Sequence, residues 1–355
     1  MAFVTRNRII TTSLAAASLL LAAACVKVGT LPEAVPAQAL SYEVIQDKPD
    51  TKADYSTSVP FVSYAWFLPS GKRWDSDKAD AKPYIEGATI SYNSGRWLDP
   101  TTTYYWPKQG SLTFRAYSPA AMPAGTDISV SAAGGVKLKD WKLNATTNQG
   151  TDFMVAKISK DQKANAVTAG YLGVPTLFMH QLAKISVRAS LAKEFAPGSG
   201  KFIKIHKLTL RHIYTKATFS ESEDKWHSRS EVEDIVIYEN AAGLELTVDA
   251  QTLINVPTLA DGLLLIPQHL SAVPATGPEA QRECPVLKLE YSDENGTHHS
   301  DDYSFEGNIH SYIWNKGQHI RYGIVFGTEE EPIDFNAWVG TWTDGDTKDV
   351  NIGQD

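Results

Sequence analysis

The chain has 355 residues, of which 43% are hydrophobic and 21% are charged, and this composition is typical of a folded globular protein. The formal net charge of −8 argues against nucleic acid as a partner, because phosphate binding requires clustered Lys and Arg. The length is sufficient for two domains, each with a core of its own.

Residues 1–24 have the layout of a secretory signal peptide, in which Arg6 and Arg8 precede an apolar stretch over residues 9–24. The stretch ends in "AAAC" at residues 22–25, which resembles a bacterial lipobox. It predicts that Cys25 is the acylated first residue of the exported protein. An ordinary cleaved signal with an incidental cysteine, or a retained helical anchor, are the alternatives. If Cys25 carries lipid, Cys284 has no partner for an intramolecular disulfide.

The predicted leader over residues 25–52 contains one strand, "ALSYEVIQ" at residues 39–46. Leu40, Tyr42 and Val44 share one face of that strand, because side chains alternate with period two. The next stretch, "DKPDTKADYSTS" at residues 47–58, contains Pro, Asp, Thr and Ser with almost nothing to bury. We therefore expect it to be exposed, flexible and accessible to proteases.

Strand patterns dominate from about residue 60 onward. In "SLTFRAYSP" at 111–119 and "LAKISVRASL" at 182–191, apolar and polar residues alternate. Similar patterns occupy residues 244–250, 286–291 and 321–326, with Gly, Pro, Asn and Asp clusters between them. This succession predicts an all-β protein of sandwiches or barrels. One short helix is expected within residues 159–167, and the polar stretch at 193–201 divides the chain into predicted domains over 53–195 and 196–355.

No motif in the sequence predicts catalysis, a metal or a cofactor. "PGSGKF" at 197–202 lacks both the first Gly and the Ser or Thr of a phosphate-binding loop. "NGTHHSDD" at 295–302 is the best metal candidate, but adjacent histidines on an extended chain point to opposite sides. Five tryptophans have two alternative roles: they stack against sugars on an exposed surface, or they are buried in the core. These are Trp66, Trp74, Trp97, Trp226 and Trp342.

Six strings mark the rest of the chain: "YYWPKQGSLTFRAYSP" (104–119), "TDFMVAK" (151–157), "LFMHQLAKISV" (177–187), "LLLIPQ" (263–268), "YIWNKGQHIRYGIVF" (312–326) and "IDFNAWVGTW" (333–342). In this order, and behind a lipobox, they resemble the fimbrillin-like (Mfa-like) family. Its members are surface lipoproteins of Gram-negative anaerobes and include the subunits of type V pili. The resemblance implies two tandem transthyretin-like β-sandwich domains and a structural protein without enzymatic activity.

The resemblance also implies a mechanism of assembly. The lipid on Cys25 carries the precursor to the outer membrane, and a trypsin-like protease cuts after a basic residue, here between Lys52 and Ala53. The released leader takes its strand with it, and the vacated groove accepts a strand from a neighbouring subunit. Val350 and Ile352 are the candidate donor-strand residues of this chain. The implied partners are other fimbrial subunits, the outer membrane, the protease, and a host or bacterial surface ligand.

Two alternatives remain open at the sequence level. Family pilins commonly carry Arg at the cut, and here no Arg occurs between Arg8 and Arg73. If the protease requires Arg, the leader stays in place and the protein is a permanently anchored lipoprotein. Such a protein serves as a pilus anchor or binds a glycan or host protein. A lipoprotein hydrolase is a third class, which the absence of a nucleophile-and-base pair disfavours.

Overall fold

A computed structural model describes residues 38–46, 55–143, 151–164, 173–192, 200–246, 252–254, 262–271, 283–327 and 333–341. Within these ranges the helical structure is one turn of α-helix, α1 (Trp74–Asp77), continued by a 3₁₀ turn at Lys78–Asp80. No helix in this part of the chain is long and apolar enough to cross a membrane.

The same residues form nineteen strands: β1 (Tyr42–Gln46), β2 (Phe61–Leu68), β3 (Lys82–Asn93), β4 (Arg96–Leu98), β5 (Ser111–Ser118), β6 (Asp127–Ser131), β7 (Gly135–Lys142), β8 (Met154–Ala156), β9 (Ser159–Gln162), β10 (Val174–His180), β11 (Ala183–Leu191), β12 (Lys204–Ser220), β13 (Lys225–Glu245), β14 (Thr252–Ile254), β15 (Leu263–Leu265), β16 (Val286–Ser292), β17 (His298–Ser304), β18 (Gln318–Phe326) and β19 (Ile333–Thr341). The predicted all-β class is confirmed. The tandem transthyretin-like arrangement stays a prediction.

Eight strands form a sheet that closes on itself. Its order is β2-β3-β4-β1-β10-β8-β5-β9, and β5 also pairs with β2. We call this the closed sheet. Its inward side chains form one apolar core, in which the alternation predicted for residues 111–119 places Leu112, Phe114 and Ala116. Large aromatic side chains fill much of the volume, because strand surfaces accommodate them well.

The remaining strands form two further sheets. In the second sheet the order is β14-β11-β18-β19, with β15 also paired to β11. In the third sheet the order is β17-β16-β12-β7-β6, with β13 also paired to β12. The long strands β12 and β13 pair through several register shifts, which mark bulges in the ladder. These two sheets share a large apolar core that includes Ile185, Val187 and Ile324.

The sheets draw strands from both sides of the predicted domain boundary. β7 pairs with β12 through Ala217 and Trp141, and β11 pairs with β18 in parallel over eight residue pairs. Strands that precede residue 196 therefore complete sheets whose other strands follow it. The division into residues 53–195 and 196–355 stays a prediction, and a boundary drawn by sheets would assign β6, β7 and β11 to the second half.

One predicted helix is wrong. Residues 159–162 form β9, which pairs with β5 through Leu112 and Phe114. The Ser159 hydroxyl donates a hydrogen bond to the carbonyl of Pro175, and Thr113 Oγ1 lies 3.1 Å from the backbone nitrogen of Asp161. Residues 159–162 thus bond to two neighbouring strands, β10 and β5.

Candidate functional site

The predicted leader strand is an integral part of the closed sheet. β1 lies between β4 and β10, where it runs antiparallel to β4 and parallel to β10. Five residue pairs join it to β10, from Tyr42 opposite Val174 to Gln46 opposite Phe178. A single pair, Tyr42 opposite Trp97, joins it to β4. β1 is thus held mainly from one side.

Three sequence-predicted residues meet the core, two from this strand and one from the short segment before it. Leu40 and Tyr42 are buried in the core of the closed sheet, and Val44 packs against the same core from a half-buried position. All three side chains therefore meet the same core, and their role as a removable strand stays a prediction.

Tyr42 makes the most specific contacts of the three. Its ring meets Phe61 and Phe114 edge-on, with centroid distances of 5.5 and 5.9 Å. Its hydroxyl donates a hydrogen bond of 3.0 Å to the Ser63 hydroxyl. Burial raises the pKa of Tyr42 above the usual value for tyrosine, so the phenol remains a neutral donor at physiological pH.

Backbone hydrogen bonds extend the attachment beyond the paired residues. The Leu40 amide donates to the Tyr104 carbonyl at 2.8 Å, and the Trp106 amide donates to the Gln38 carbonyl at 2.9 Å. On the other side, the Val174 amide donates to the Ser41 carbonyl at 2.8 Å. The leader strand therefore approaches β10 closely and also contacts the segment that precedes β5.

Tyr55 packs in the same core as the leader strand, and the sequence analysis missed it. The expectation that residues 47–58 have almost nothing to bury is wrong for this residue. Its side chain is 3% exposed and stacks on Phe178 at 4.9 Å between ring centroids. Its ring also lies 5.4 Å from that of Trp97, and its hydroxyl shares a hydrogen bond with Ser118. The signal that could have predicted its burial is that it is the single aromatic residue in the polar stretch over residues 47–58. The chain is thus anchored in one core on both sides of residues 47–54.

The other predicted site residues lie outside the described residues. These are the lipidation residue Cys25, the processing residues Lys52 and Ala53, and the donor-strand residues Val350 and Ile352. Their roles stay predictions.

The fimbrillin-like family model matches residues 72–342, which is more than half of the chain. The chain belongs to the fimbrillin-like family. No curated protein matches it in sequence.

Two solved structures show how far the likeness of fold extends. A fimbrial protein from Bacteroides vulgatus matches with a TM-score of 0.64 and 17% identity, over 86% of this chain and 100% of that one. A protein assigned to cell adhesion in Bacteroides uniformis matches with a TM-score of 0.50 and 14% identity, over 86% of this chain and 99% of that one. At these identities the similarity is one of fold.

The fimbrillin-like family is one of structural, non-enzymatic proteins of cell-surface appendages. Across the described ranges no group of three or more His, Cys, Asp and Glu side chains is arranged to hold a metal ion. In the metal candidate at residues 295–302, the two histidines have different neighbours: His298 faces His206, whereas His299 stacks on Tyr291. Asp302 pairs with Arg211 at 2.9 Å. These side chains of β17 thus contact residues of the neighbouring strands β12 and β16.

Four of the five tryptophans of the sugar-platform alternative are core residues of this fimbrillin-like chain. Trp66, Trp74, Trp97 and Trp226 are buried, and Trp342 lies outside the described residues. Trp226 also donates a hydrogen bond of 2.6 Å to the Gln181 carbonyl. A flat stacking surface made of these side chains is therefore absent from the part of the chain that the structure describes.

Proposed function

We propose that this fimbrillin-like protein is the precursor of a stalk or tip subunit of a fimbria, and that it assembles by strand exchange. It is exported as a lipoprotein through Cys25 and reaches the outer membrane. Proteolysis between Lys52 and Ala53 then frees the leader, which carries β1. A strand from a neighbouring subunit takes the vacated position. Filaments result because such head-to-tail contacts do not close.

The position of β1 is the observation that carries this proposal. It fills a gap in an otherwise continuous ring of strands, and the chain connecting it to the body contains the predicted cut. Removal of β1 would expose the hydrogen-bonding edges of β4 and β10, and would uncover Phe61 and Phe114, the two rings that meet Tyr42. An unpaired edge above an apolar groove favours addition of another strand.

The mature N-terminus tests the proposal. We expect mass spectrometry of the native surface protein to find chains that begin at Ala53, together with a lipidated precursor that begins at Cys25. The variant Lys52→Gln should accumulate the precursor and lose filaments, whereas the control Lys48→Gln should be processed normally. Assembled fimbriae whose subunits all begin at Cys25 would contradict cleavage. A monomer that keeps its lipidated leader would instead favour the permanently anchored lipoprotein, as an anchor or a binding module.

A further inference from the structure

The Tyr42 hydroxyl meets the inner face of β2 at Ser63, and we call the space that the Tyr42 side chain fills there the hollow. Ser63 is completely buried there, and Tyr42 supplies the hydrogen-bond partner of its hydroxyl. The residues opposite Ser63 on the two neighbouring strands are Ala88 on β3 and Ala116 on β5. Both are small, so the wall of the closed sheet leaves room at this point for the end of a long side chain.

The sides of the hollow suit an aromatic ring. Phe61 and Phe114 both present their rings at 84° to that of Tyr42, the edge-to-face geometry that aromatic pairs prefer. The hollow therefore combines apolar walls for a ring with a buried hydroxyl at its end. A tyrosine satisfies both features with one side chain.

We infer that this hollow selects tyrosine in the strand that replaces β1. The incoming strand would carry an aliphatic residue, a tyrosine and an aliphatic residue at alternate positions, as Leu40, Tyr42 and Val44 do. It would run parallel to β10. The inference rests on the proposed strand exchange and adds the chemistry by which the partner strand is recognised.

Selectivity follows from the cost of leaving a buried hydroxyl unpaired. A phenylalanine fills the same walls but deprives Ser63 of its partner, and sites built to bond a hydroxyl reject analogues that lack it. A valine or isoleucine would also leave a cavity between Phe61 and Phe114. Residues 342–355 of this chain contain no tyrosine, and Val350 and Ile352 are their alternating aliphatic residues. The hollow thus disfavours a second copy's own 342–355 segment and favours a different strand as donor.

A peptide-exchange experiment tests the inference. A specific protease site is introduced between residues 47 and 54 of the full chain, the chain is cut, and a fluorescent peptide of residues 38–46 is exchanged into it. Unlabelled competitors are the same peptide, its Tyr42→Phe and Tyr42→Val forms, and a peptide of residues 345–355. We expect the Phe peptide to compete about tenfold less well, and the Val peptide roughly a hundredfold less well. The 345–355 peptide should compete no better than the Val peptide.

The variant Ser63→Ala is the matched control, because it removes the partner hydroxyl and keeps the apolar walls. On that variant the Phe peptide should compete at least as well as the Tyr peptide, because the Tyr hydroxyl is then the buried group that lacks a partner. Equal competition by Tyr and Phe peptides on the unaltered protein, or strong competition by residues 345–355, would overturn the inference and leave strand exchange intact. Failure of every peptide, including the native one, to bind the cut chain would contradict the proposed function itself.

Discussion

At the residue scale, one ion pair ties the closed sheet to the third sheet. Arg115 on β5 pairs with Glu221, which follows β12, and their side chains are only 10% and 17% exposed. Glu221 also accepts a hydrogen bond of 2.7 Å from the Val136 amide at the start of β7. Gly135 has φ +70° beside this carboxylate, where an added Cβ would collide with both charged groups. The pair thus occupies a crowded junction.

We expect Arg115→Ala to lower the free energy of unfolding by roughly 2–4 kcal/mol, because it removes the cation that compensates the largely buried Glu221 carboxylate. The exposed pair Lys160 and Asp75, with 42% and 77% exposed side chains, supplies the control. Lys160→Ala should cost less than about 1 kcal/mol. Urea denaturation of the two variants beside the unaltered protein measures both changes. Similar losses for Arg115→Ala and Lys160→Ala would show that the junction contributes no more than a surface pair.

Alternation in the sequence predicted the inward residues of β11 but not the environment of the others. Ala183, Ile185 and Val187 are buried as expected. The polar residues that alternate with them, Lys184 and Ser186, are buried as well, and the Ser186 hydroxyl lies 3.0 Å from Nε2 of His319. Period-two patterning identifies one covered face of a strand. It contains no information on whether other parts of the chain cover the second face.

At the element scale, β1 depends on a residue without a side chain. Gly173 directly precedes β10, and a Cβ placed there would lie 2.6 Å from the Ser41 carbonyl oxygen. That oxygen accepts the hydrogen bond from the Val174 amide, so it cannot move away without breaking the start of the β1–β10 ladder. The close approach of these two backbones requires glycine.

Gly173→Ala should therefore weaken the hold on the leader strand. In the protease-cut chain described above, we expect the labelled 38–46 peptide to dissociate about tenfold faster from this variant, because part of the parallel ladder is displaced. Gly340→Ala is the control, since nothing lies within 4 Å of the Cβ it would add. Dissociation rates that are equal for the two variants would contradict the close-approach argument.

Elements differed in how far the sequence predicted them. β1, β5 and β11 were predicted because their apolar alternation is set by the residues themselves. β9 was predicted as helix because Ser159–Gln162 contains no strand pattern, and its pairing with β5 is a tertiary contact. The short helix α1 was missed for the same reason: Asp161 Oδ1 accepts a hydrogen bond from the Trp74 amide at 3.0 Å, across 87 residues of sequence. Tyr55 likewise acquires its role from distant partners.

At the scale of the whole molecule, buried tyrosines in all three sheets make the free energy of unfolding depend on pH in the same direction. Burial raises the pKa of tyrosines in the closed sheet and in the other two sheets above the usual value: Tyr42, Tyr55, Tyr303 and Tyr322. It raises the pKa of Tyr117, on β5, to about 12. Each of these phenols is more difficult to ionise in the folded chain than in the unfolded chain.

The sign of the effect follows from proton binding. An unfolded tyrosine loses its proton near pH 10, at about its ordinary pKa. Above that pH the unfolded chain binds fewer protons than the native chain, so the free energy of unfolding falls as pH rises. We therefore expect full stability from these groups below about pH 9, and a progressive loss between about pH 10 and 12. The urea midpoint measured at constant ionic strength, with absorbance at 295 nm to follow tyrosinate, records both processes. Tyr117→Phe should make the fall of the urea midpoint with pH less steep. Tyr92→Phe, at a 44% exposed position, should leave that slope unchanged. A midpoint that does not change across this range would mean that the tyrosines ionise without unfolding the sheets that bury them.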